Sequence, residues 1–382
     1  MNLLQEYESY KKTVSDRTAV FDLMETLDFR HNENVPPKKI KKIVMLLPNI
    51  YPQSGGITSA LRILTSFQRH NCTVTIALIG DMNPDIAKAN AVKCMPSFNG
   101  SVKKLDECLS EQYDICIATS WKTAYFAKKL SGYKTYFVQD YEPSFYETSD
   151  FSVLAKKTYE LGFHIISLGK WNLEKIKSNS NNINGKLDYI DFPYSKSEYI
   201  YEYRDYLSYE SKKEINIACY MRHTGRRIPY ICEYILKKTK NKLEQQGYTV
   251  TIKYFGMNKH FRFESGENLG ILSRKELAKL YKMSDFGMVA SMSNISLVPY
   301  EMLASGLTVI EFKEGSYPYF LGENTALLID FDYQTLCNKI LDVLQNPSKL
   351  IAMHEKAEEK LASLSWDKTC NQFWDILQKT IV

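Results

Sequence analysis

The sequence predicts an α/β protein made of two doubly wound domains in series. Three observations carry this prediction. Short apolar runs bounded by turn residues recur along the chain, and each is followed by a helical pattern. The alternation breaks down once, around residues 195–212, where Tyr, Ser, Glu and Lys show no hydrophobic periodicity. It then resumes with the same rhythm. Strands alternating regularly with helices imply βαβ units and parallel sheets covered on both faces. Ligands of such sheets bind beyond the carboxyl ends of the strands, so the sequence predicts two crevices facing across one deep cleft.

Taken in order, residues 1 to about 35 read as one or two polar helices that stop at Pro36 and Pro37, where a helix does not easily continue. A basic patch, Lys38 to Lys42, leads into the apolar run 43–48, which is too short for a helix and reads as a buried parallel strand. A turn-rich loop ending in Gly55-Gly56 and a helical pattern over 59–67 follow. Strands are expected at 73–79, 114–118, 134–138, 163–168 and 187–191, with helices near 102–111 and at 121–131, 151–161 and 170–177. The second alternation has strands at 215–220, 249–255, 286–290 and 307–311. Its helices are expected at 229–246, 274–282, 299–305, 333–345 and 347–363. A final amphipathic helix from Trp366 to about 379 carries two Trp residues. The domains are therefore drawn as a helical extension 1–38, a first Rossmann-like domain 39–207, a second 208–363, and a C-terminal helix 364–382 crossing back to the first. No repeat of solenoid period occurs.

Composition excludes several classes. With 44% hydrophobic and 24% charged residues, the 382-residue chain is globular rather than disordered. A net charge of +5 suits a diphosphate ligand and falls short of a nucleic-acid footprint. No stretch approaches the ~20 apolar residues of a membrane span, and acidic and polar residues interrupt any signal-peptide core. Eight cysteines are scattered without a CxxC pair, which implies reduced thiols and a cytoplasmic home. The six histidines show no ligand spacing, so no metal is expected.

Three segments carry chemistry. Gly55-Gly56 sits between the first strand and a helix, where bare amides and a helix N-terminus favour an anion. It is neither a G-x-G-x-x-G nor a P-loop, which argues against dehydrogenases and ATPases. The equivalent position of the second domain holds Arg222-His223-Thr224-Gly225-Arg226-Arg227. Guanidinium groups offer fixed, bidentate and permanently charged donors for a diphosphate. The third segment runs from Ser291 to Gly306. It is a polar loop, Pro299 at a helix start, and Glu301 in the expected first turn, where the helix dipole favours an acid and a carboxylate can accept ribose hydroxyls. At the end of the 134–138 strand, Gln139-Asp140-Tyr141-Glu142-Pro143 places two carboxylates where they are expected to face the cleft and to contact a sugar or an attacking hydroxyl.

The string LVPYEMLASGLTVIEF, with its lead-in LGILSRKELAKLYKMSDFGMVAS, resembles the signature segment of retaining GT-B glycosyltransferases of family 4. In that pattern two Glu residues lie eight positions apart. Glu301 matches the second, while the first falls on Ser293, so the pattern is broken there. The resemblance implies that Glu301 holds the nucleotide ribose and that position 293 lies near the donor sugar, with Ser296, Leu297 and Val298 lining the donor. It also implies a diphosphate gripped by Arg222 and Arg227, which have the family's five-residue spacing with Arg in place of Lys, together with Arg226 and the Gly55-Gly56 loop. Asp140 and Glu142 join Arg222 and Arg227 as the expected catalytic groups. The QDYEP form further resembles bacterial dTDP-L-rhamnose-dependent rhamnosyltransferases of surface-glycan assembly.

The function so implied is transfer of a sugar, best matched by L-rhamnose, from a nucleotide sugar to a glycan or lipid-linked glycan acceptor with retention. No cofactor or metal is needed, because arginines neutralise the leaving diphosphate. Peripheral contact with the inner membrane through the Lys38–Lys42 patch and Lys122, Lys128 and Lys129 is a further expectation, against the plainer reading of a solvated face. Alternatives are another nucleotide-sugar donor, hexose or furanose, or a nucleotide-sugar-binding subunit made inactive by Ser293. An epimerase-like enzyme is disfavoured, since it needs acid/base groups near the Arg loop and His223 alone stands there.

Overall fold

The structure is a computed structural model. It describes every residue except 1, 2, 53, 195–198, 200, 202 and 224, and for 3–10, 12 and 225 the backbone alone. The chain forms two compact units. Unit 1 comprises Met1–Ile190 and Cys370–Val382, and unit 2 comprises Asp191–Thr369. The division falls at Ile190, ahead of the stretch read as a linker. Within that stretch, 195–198, 200 and 202 lie outside the described residues. Its end is structured: Tyr206–Ser211 is a 3-10 turn whose Tyr206 and Tyr209 are buried in the core of unit 2.

Unit 1 runs α1 (Leu3–Thr26), β1 (Lys42–Leu47), α2 (Gly55–Ser66), β2 (Thr73–Leu78), α3 (Pro84–Cys94), β3 (Ser101–Lys104) and α4 (Leu105–Cys108). It continues with β4 (Ile115–Ala118), α5 (Trp121–Ala127), β5 (Tyr133–Val138), α6 (Asp150–Lys157), β6 (His164–Leu168), α7 (Lys170–Asn179) and β7 (Leu187–Ile190). The seven strands pair in parallel in the order β3-β2-β1-β4-β5-β6-β7. β1, β4 and β5 are buried along nearly their whole length, which is why they read as continuous apolar runs.

Two expectations for this unit are corrected. The helix expected near 102–111 is instead strand β3 followed by the single turn α4. Ser101 pairs with Thr75 of β2, their hydroxyls 2.9 Å apart, and Glu107 caps the Lys104 amide at 2.9 Å, so the strand ends there. The N-terminal helix stops at Thr26 rather than near Pro36. The segment after it is held extended from outside. Lys128 Nζ donates to the carbonyls of Asp28 and Arg30 at 2.8 and 2.6 Å, and Asn34 both accepts from the Lys134 amide (2.6 Å) and donates to the Lys134 carbonyl (2.7 Å). A backbone whose partners lie on another element has no use for helical bonds.

Unit 2 runs β8 (Glu214–Tyr220), α8 (Pro229–Gln245), β9 (Thr249–Phe255), β10 (Glu267–Asn268), α9 (Arg274–Met283), β11 (Phe286–Met288) and α10 (Leu297–Ala304). It continues with β12 (Thr308–Phe312), α11 (Tyr317–Leu321), β13 (Ala326–Ile329), α12 (Tyr333–Gln345), α13 (Ser348–Ala362) and α14 (Trp366–Gln378), whose second part belongs to unit 1. Six parallel strands lie in the order β10-β9-β8-β11-β12-β13. The order reverses at the β8/β11 pair, as it does in unit 1 at β1/β4, and such a switch point is where an open α/β sheet leaves a crevice. Both sheets are therefore doubly wound, as the sequence predicts. The part of α14 in unit 1 is seated by Phe373, fully buried with ring centroids 5.6 Å from both Phe67 and Phe137, while Trp374 stacks on His70 at 4.2 Å.

Candidate functional site

The switch point of unit 2 is where its arginine-rich loop begins. β8 ends at Tyr220, Arg222 follows as an exposed side chain, and Gly225–Arg227 form a 3-10 turn. His223 packs edge-on against Phe261, centroids 4.8 Å apart. Thr224 lies outside the described residues. Arg226 is half-buried, whereas Arg227 is only 7% exposed. Arg227 Nη1 donates to the Ala290 carbonyl at 2.9 Å and lies 3.5 Å from Ser291 Oγ. Ala290 and Ser291 follow β11, so this contact spans the switch point from the loop after β8 to the loop after β11. The next residue, Ile228, has φ 35° and ψ 53°. A β-branched residue rarely enters the left-handed region, and such strain persists only where its surroundings over-determine it. The anchored Arg227 on one side and Pro229, the first residue of α8, on the other supply that constraint.

The two arginines thus differ in kind. Arg222 stands open to solvent, and Arg227 is built into the wall with one nitrogen committed to the chain itself. The sequence did not distinguish them, because both are simply arginines at the end of a strand.

The 291–301 segment follows. Ser291 is fully buried, and its carbonyl accepts from the Ser316 amide at 2.7 Å and the Ser316 hydroxyl at 3.2 Å. Ser293 is 3% exposed. Ser296 is the N-cap of α10 but makes no side-chain capping bond, and its buried hydroxyl has no hydrogen-bond partner among the described residues. Leu297 and Val298 open the helix. Here the expectation of a helix from 299 is corrected. α10 begins at Leu297, so Glu301 is its fifth residue and lies beyond the first turn. Pro299 is accepted inside the first turn because amides there have no intrahelical partner to lose. The dipole account of Glu301 therefore loses its basis. The Glu301 carboxylate is half-buried and near the buried Tyr281 phenol, which burial first, and then this acid, push well above its ordinary range. Gly306, at φ 73°, closes the helix in the left-handed conformation that glycine adopts without strain.

A residue that sequence reading passed over completes the group. Glu311 lies within β12, in the otherwise apolar strand Thr308–Phe312, and is 0% exposed. Its Oε2 accepts from the amides of Ser291 (3.2 Å) and Phe312 (3.0 Å). Burial raises its carboxyl to about 7 despite hydrogen bonds from Ser291 and the nearby Arg227 charge. The signal was present in the sequence, since an acid inside a buried strand needs a reason.

In unit 1, Gly55 and Gly56 are the first two residues of α2. A methyl group on Gly55 would meet nothing, whereas one on Gly56 would touch the Gln139 side chain at 3.5 Å, and Gln139 donates to the Gly56 carbonyl at 3.0 Å. Gln139 follows β5, so this contact joins the loops after β1 and β5. Asp140, 7% exposed, accepts from the Tyr141 amide at 2.8 Å. Glu142, expected with Asp140 to leave the strand's end facing a ligand, is buried as Asp140 is. The residue is 4% exposed, its carboxylate accepts from the Trp121 amide at the start of α5, and its own amide meets the Tyr159 hydroxyl at 3.2 Å. Its charge pushes the buried Tyr136 and Tyr159 phenols further up, after burial itself.

Among the described residues no group of three or more His, Cys, Asp or Glu side chains is placed to hold a metal ion, and no helix is long and apolar enough to cross a membrane. Among the described residues none of the eight cysteines forms a disulfide, and seven of them are buried.

No family model matches the sequence. A curated relative, the O-antigen biosynthesis protein RfbC of Myxococcus xanthus, is 24% identical over 329 residues, which is 82% of this chain and 25% of that protein. The chain thus spans about a quarter of that relative's length. Among solved structures, HepE of Anabaena in complex with UDP-glucose matches with a TM-score of 0.69 at 13% identity, covering 88% of this chain and 99% of that one. Sucrose-phosphate synthase from Thermosynechococcus elongatus matches at TM-score 0.65 and 13% identity over 89% and 98%. WaaG, a glycosyltransferase involved in lipopolysaccharide biosynthesis, matches at TM-score 0.62 and 12% identity over 88% and 99%. Two doubly wound parallel sheets and these likenesses give one conclusion: the chain has the GT-B fold of glycosyltransferases.

Proposed function

We propose that the protein is a glycosyltransferase that binds a nucleotide-sugar donor on unit 2 and moves its sugar to a glycan. The carrying observation is the contact across the β8/β11 switch point, where Arg227 is tied to Ala290 and Ser291 between the exposed Arg222 and the start of α10. Departure of a sugar builds negative charge on the diphosphate. Preorganised guanidinium groups stabilise that charge more in the transition state than in the ground state. In this reading Arg222 and Arg226 meet the diphosphate from the solvent side, and Arg227 fixes the wall behind it. Ser296, Leu297 and Val298 present the helix start to the donor, Ser293 stands beside the sugar, and Glu301 takes the ribose hydroxyls.

On unit 1 the Gly55-Gly56 amides are assigned to phosphate contacts, and Asp140 to sugar hydroxyls or the attacking hydroxyl. The buried Glu142 acts as a positioning residue that ties the end of β5 to α5. Arginine neutralisation of the leaving group makes a divalent ion unnecessary, and transfer with retention needs no protein nucleophile. HepE, as crystallised, holds UDP-glucose, and RfbC is named for O-antigen biosynthesis, so both are consistent with a nucleotide-sugar enzyme of bacterial surface-glycan synthesis. L-Rhamnose from dTDP-L-rhamnose is the proposed sugar, on the QDYEP segment.

The test is a panel of UDP-, dTDP- and GDP-sugars offered to the purified chain, read by thermal shift and by nucleotide release with a glycan acceptor. A shift and release with one donor class supports the reading, and dTDP-L-rhamnose is expected to lead. No shift with any member of the panel overturns it.

A further inference from the structure

Glu311 is the least economical residue in unit 2. An apolar side chain would build β12 equally well, and a buried carboxyl without full hydrogen bonding is costly. Its Oε2 is satisfied by the Ser291 and Phe312 amides, but its Oε1 is buried with no hydrogen-bond partner among the described residues. The carboxyl is linked through Ser291 to two other parts of the site, the Arg227 loop and the loop after β12. The Ser291 amide binds Glu311 directly. The Ser291 hydroxyl faces both Glu311 and Arg227 Nη1. The Ser291 carbonyl is closed off by Ser316 from the loop after β12. Arg227 is itself pinned to Ala290, one residue earlier. The ionisable groups facing Glu311 are Arg227 ahead of α8, Cys232 on α8 and Tyr317 on α11. Of these only Arg227 carries charge near neutrality, because burial raises both the thiol and the phenol.

We propose that Glu311 is the positioning residue of the donor site, holding Ser291 and Arg227 in register and tempering the pull of Arg227 on the diphosphate of a nucleotide sugar. This rests on the donor-binding reading above. An ionised Glu311 partly satisfies the Arg227 charge, which weakens its attraction for a diphosphate, and a neutral Glu311 leaves that charge to the ligand. The raised carboxyl, about 7, puts this exchange within the working pH range. Donor affinity then falls as pH rises through neutrality, because Glu311 acquires its charge.

The experiment is calorimetric titration of the full chain with UDP-glucose and with dTDP-L-rhamnose between pH 6 and pH 8.5. Such diphosphate diesters do not titrate in that window, so the pH dependence comes from the protein. The wild-type chain is expected to lose roughly three- to tenfold in affinity across the range, as one partial charge near the ligand is switched. Glu311→Gln should hold its affinity within about twofold across the range, close to the wild-type value at pH 6. Ser291→Ala, which keeps the amide but removes the hydroxyl between Glu311 and Arg227, should flatten the slope in part, and it serves if Glu311→Gln does not fold. A wild-type slope that survives in Glu311→Gln overturns the role of Glu311. The same holds if the slope survives there but vanishes in His223→Gln, which would place the titrating group on the exposed loop. Absence of binding by the wild-type chain to either donor at every pH overturns the donor reading, and the role of Glu311 with it.

Discussion

The contrast between Arg222 and Arg227 makes a sharp prediction. Replacing either with alanine removes a guanidinium from the proposed diphosphate site, and each loss should lower transfer by about 10²–10³, the usual effect of removing one preorganised charge-stabilising donor. Stability should separate the two. Arg222 is exposed, and substitutions at such positions stay within about 0.5 kcal/mol. Arg227 is 7% exposed and donates to the Ala290 carbonyl at 2.9 Å. A hydrogen bond from a charged donor contributes about 1.5–3 kcal/mol, and the buried side-chain stem adds to it, so Arg227→Ala should cost roughly 2–4 kcal/mol. With a urea slope near 2 kcal/mol/M, the midpoint of the unit 2 transition moves down by about 1–2 M. Far-UV circular dichroism in urea gives the stability, and nucleotide release gives the transfer rate. An Arg227→Ala chain as stable as the parent would refute the anchored role, and an Arg222→Ala chain with unchanged transfer would remove Arg222 from the site.

Three further outcomes are expected. The Glu311 carboxyl sits near 7 in the folded chain against 4.5 when free, so the native state keeps a proton that the unfolded chain has lost between those values; its stabilising contribution is complete below about 4.5, declines as pH rises through 7, and amounts to about 3 kcal/mol. Urea titrations at pH 5 and pH 8 should show that decline in the parent and its absence in Glu311→Gln. Phe373→Ala opens a cavity between Phe67 and Phe137 and should cost unit 1 about 3–5 kcal/mol; a loss under 1 kcal/mol in denaturant unfolding would mean that the C-terminal helix is not part of that core. Asn34→Ala leaves the Lys134 amide and carbonyl of a central strand without their partner, at a cost of about 2–4 kcal/mol, and hydrogen exchange should show faster turnover at the Lys134 amide.

The doubly wound architecture was legible because buried parallel strands leave continuous apolar runs, as in Lys42–Leu47 and Ile115–Ala118. The elements missed had signals of other kinds. β3 is a half-buried edge strand with two lysines, so its composition does not separate strand from helix. β10 has two residues and β13 four, too short for a period to show. α3 carries Asn83 as N-cap and Pro84 as its first residue, a readable start that was passed over because the alanine-rich helix lacks a strong apolar stripe. For the site, the positions of Arg222, Arg227, Ser296 and Glu301 in the chain were readable from motif and spacing. What separates Arg222 from Arg227 is burial, and what separates Asp140 from Glu142 is the partner each holds, which only the folded chain supplies. Glu311 was visible as an acid in an apolar run, but its tie to Ser291 joins residues twenty apart.

The path of the chain has a consequence for biosynthesis. The backbone leaves unit 1 after Ile190 and returns to it at Cys370, so unit 2 is topologically an insertion within unit 1. A ribosome working from the N-terminus releases all of unit 2 before it delivers Phe373, the ring that fills the space between Phe67 and Phe137. The residues that seal unit 1 are therefore made only after the whole of unit 2. Until those closing residues emerge, the nascent chain carries an open apolar seam, and a transcript truncated just ahead of Phe373 would yield a product with one finished lobe and one unsealed.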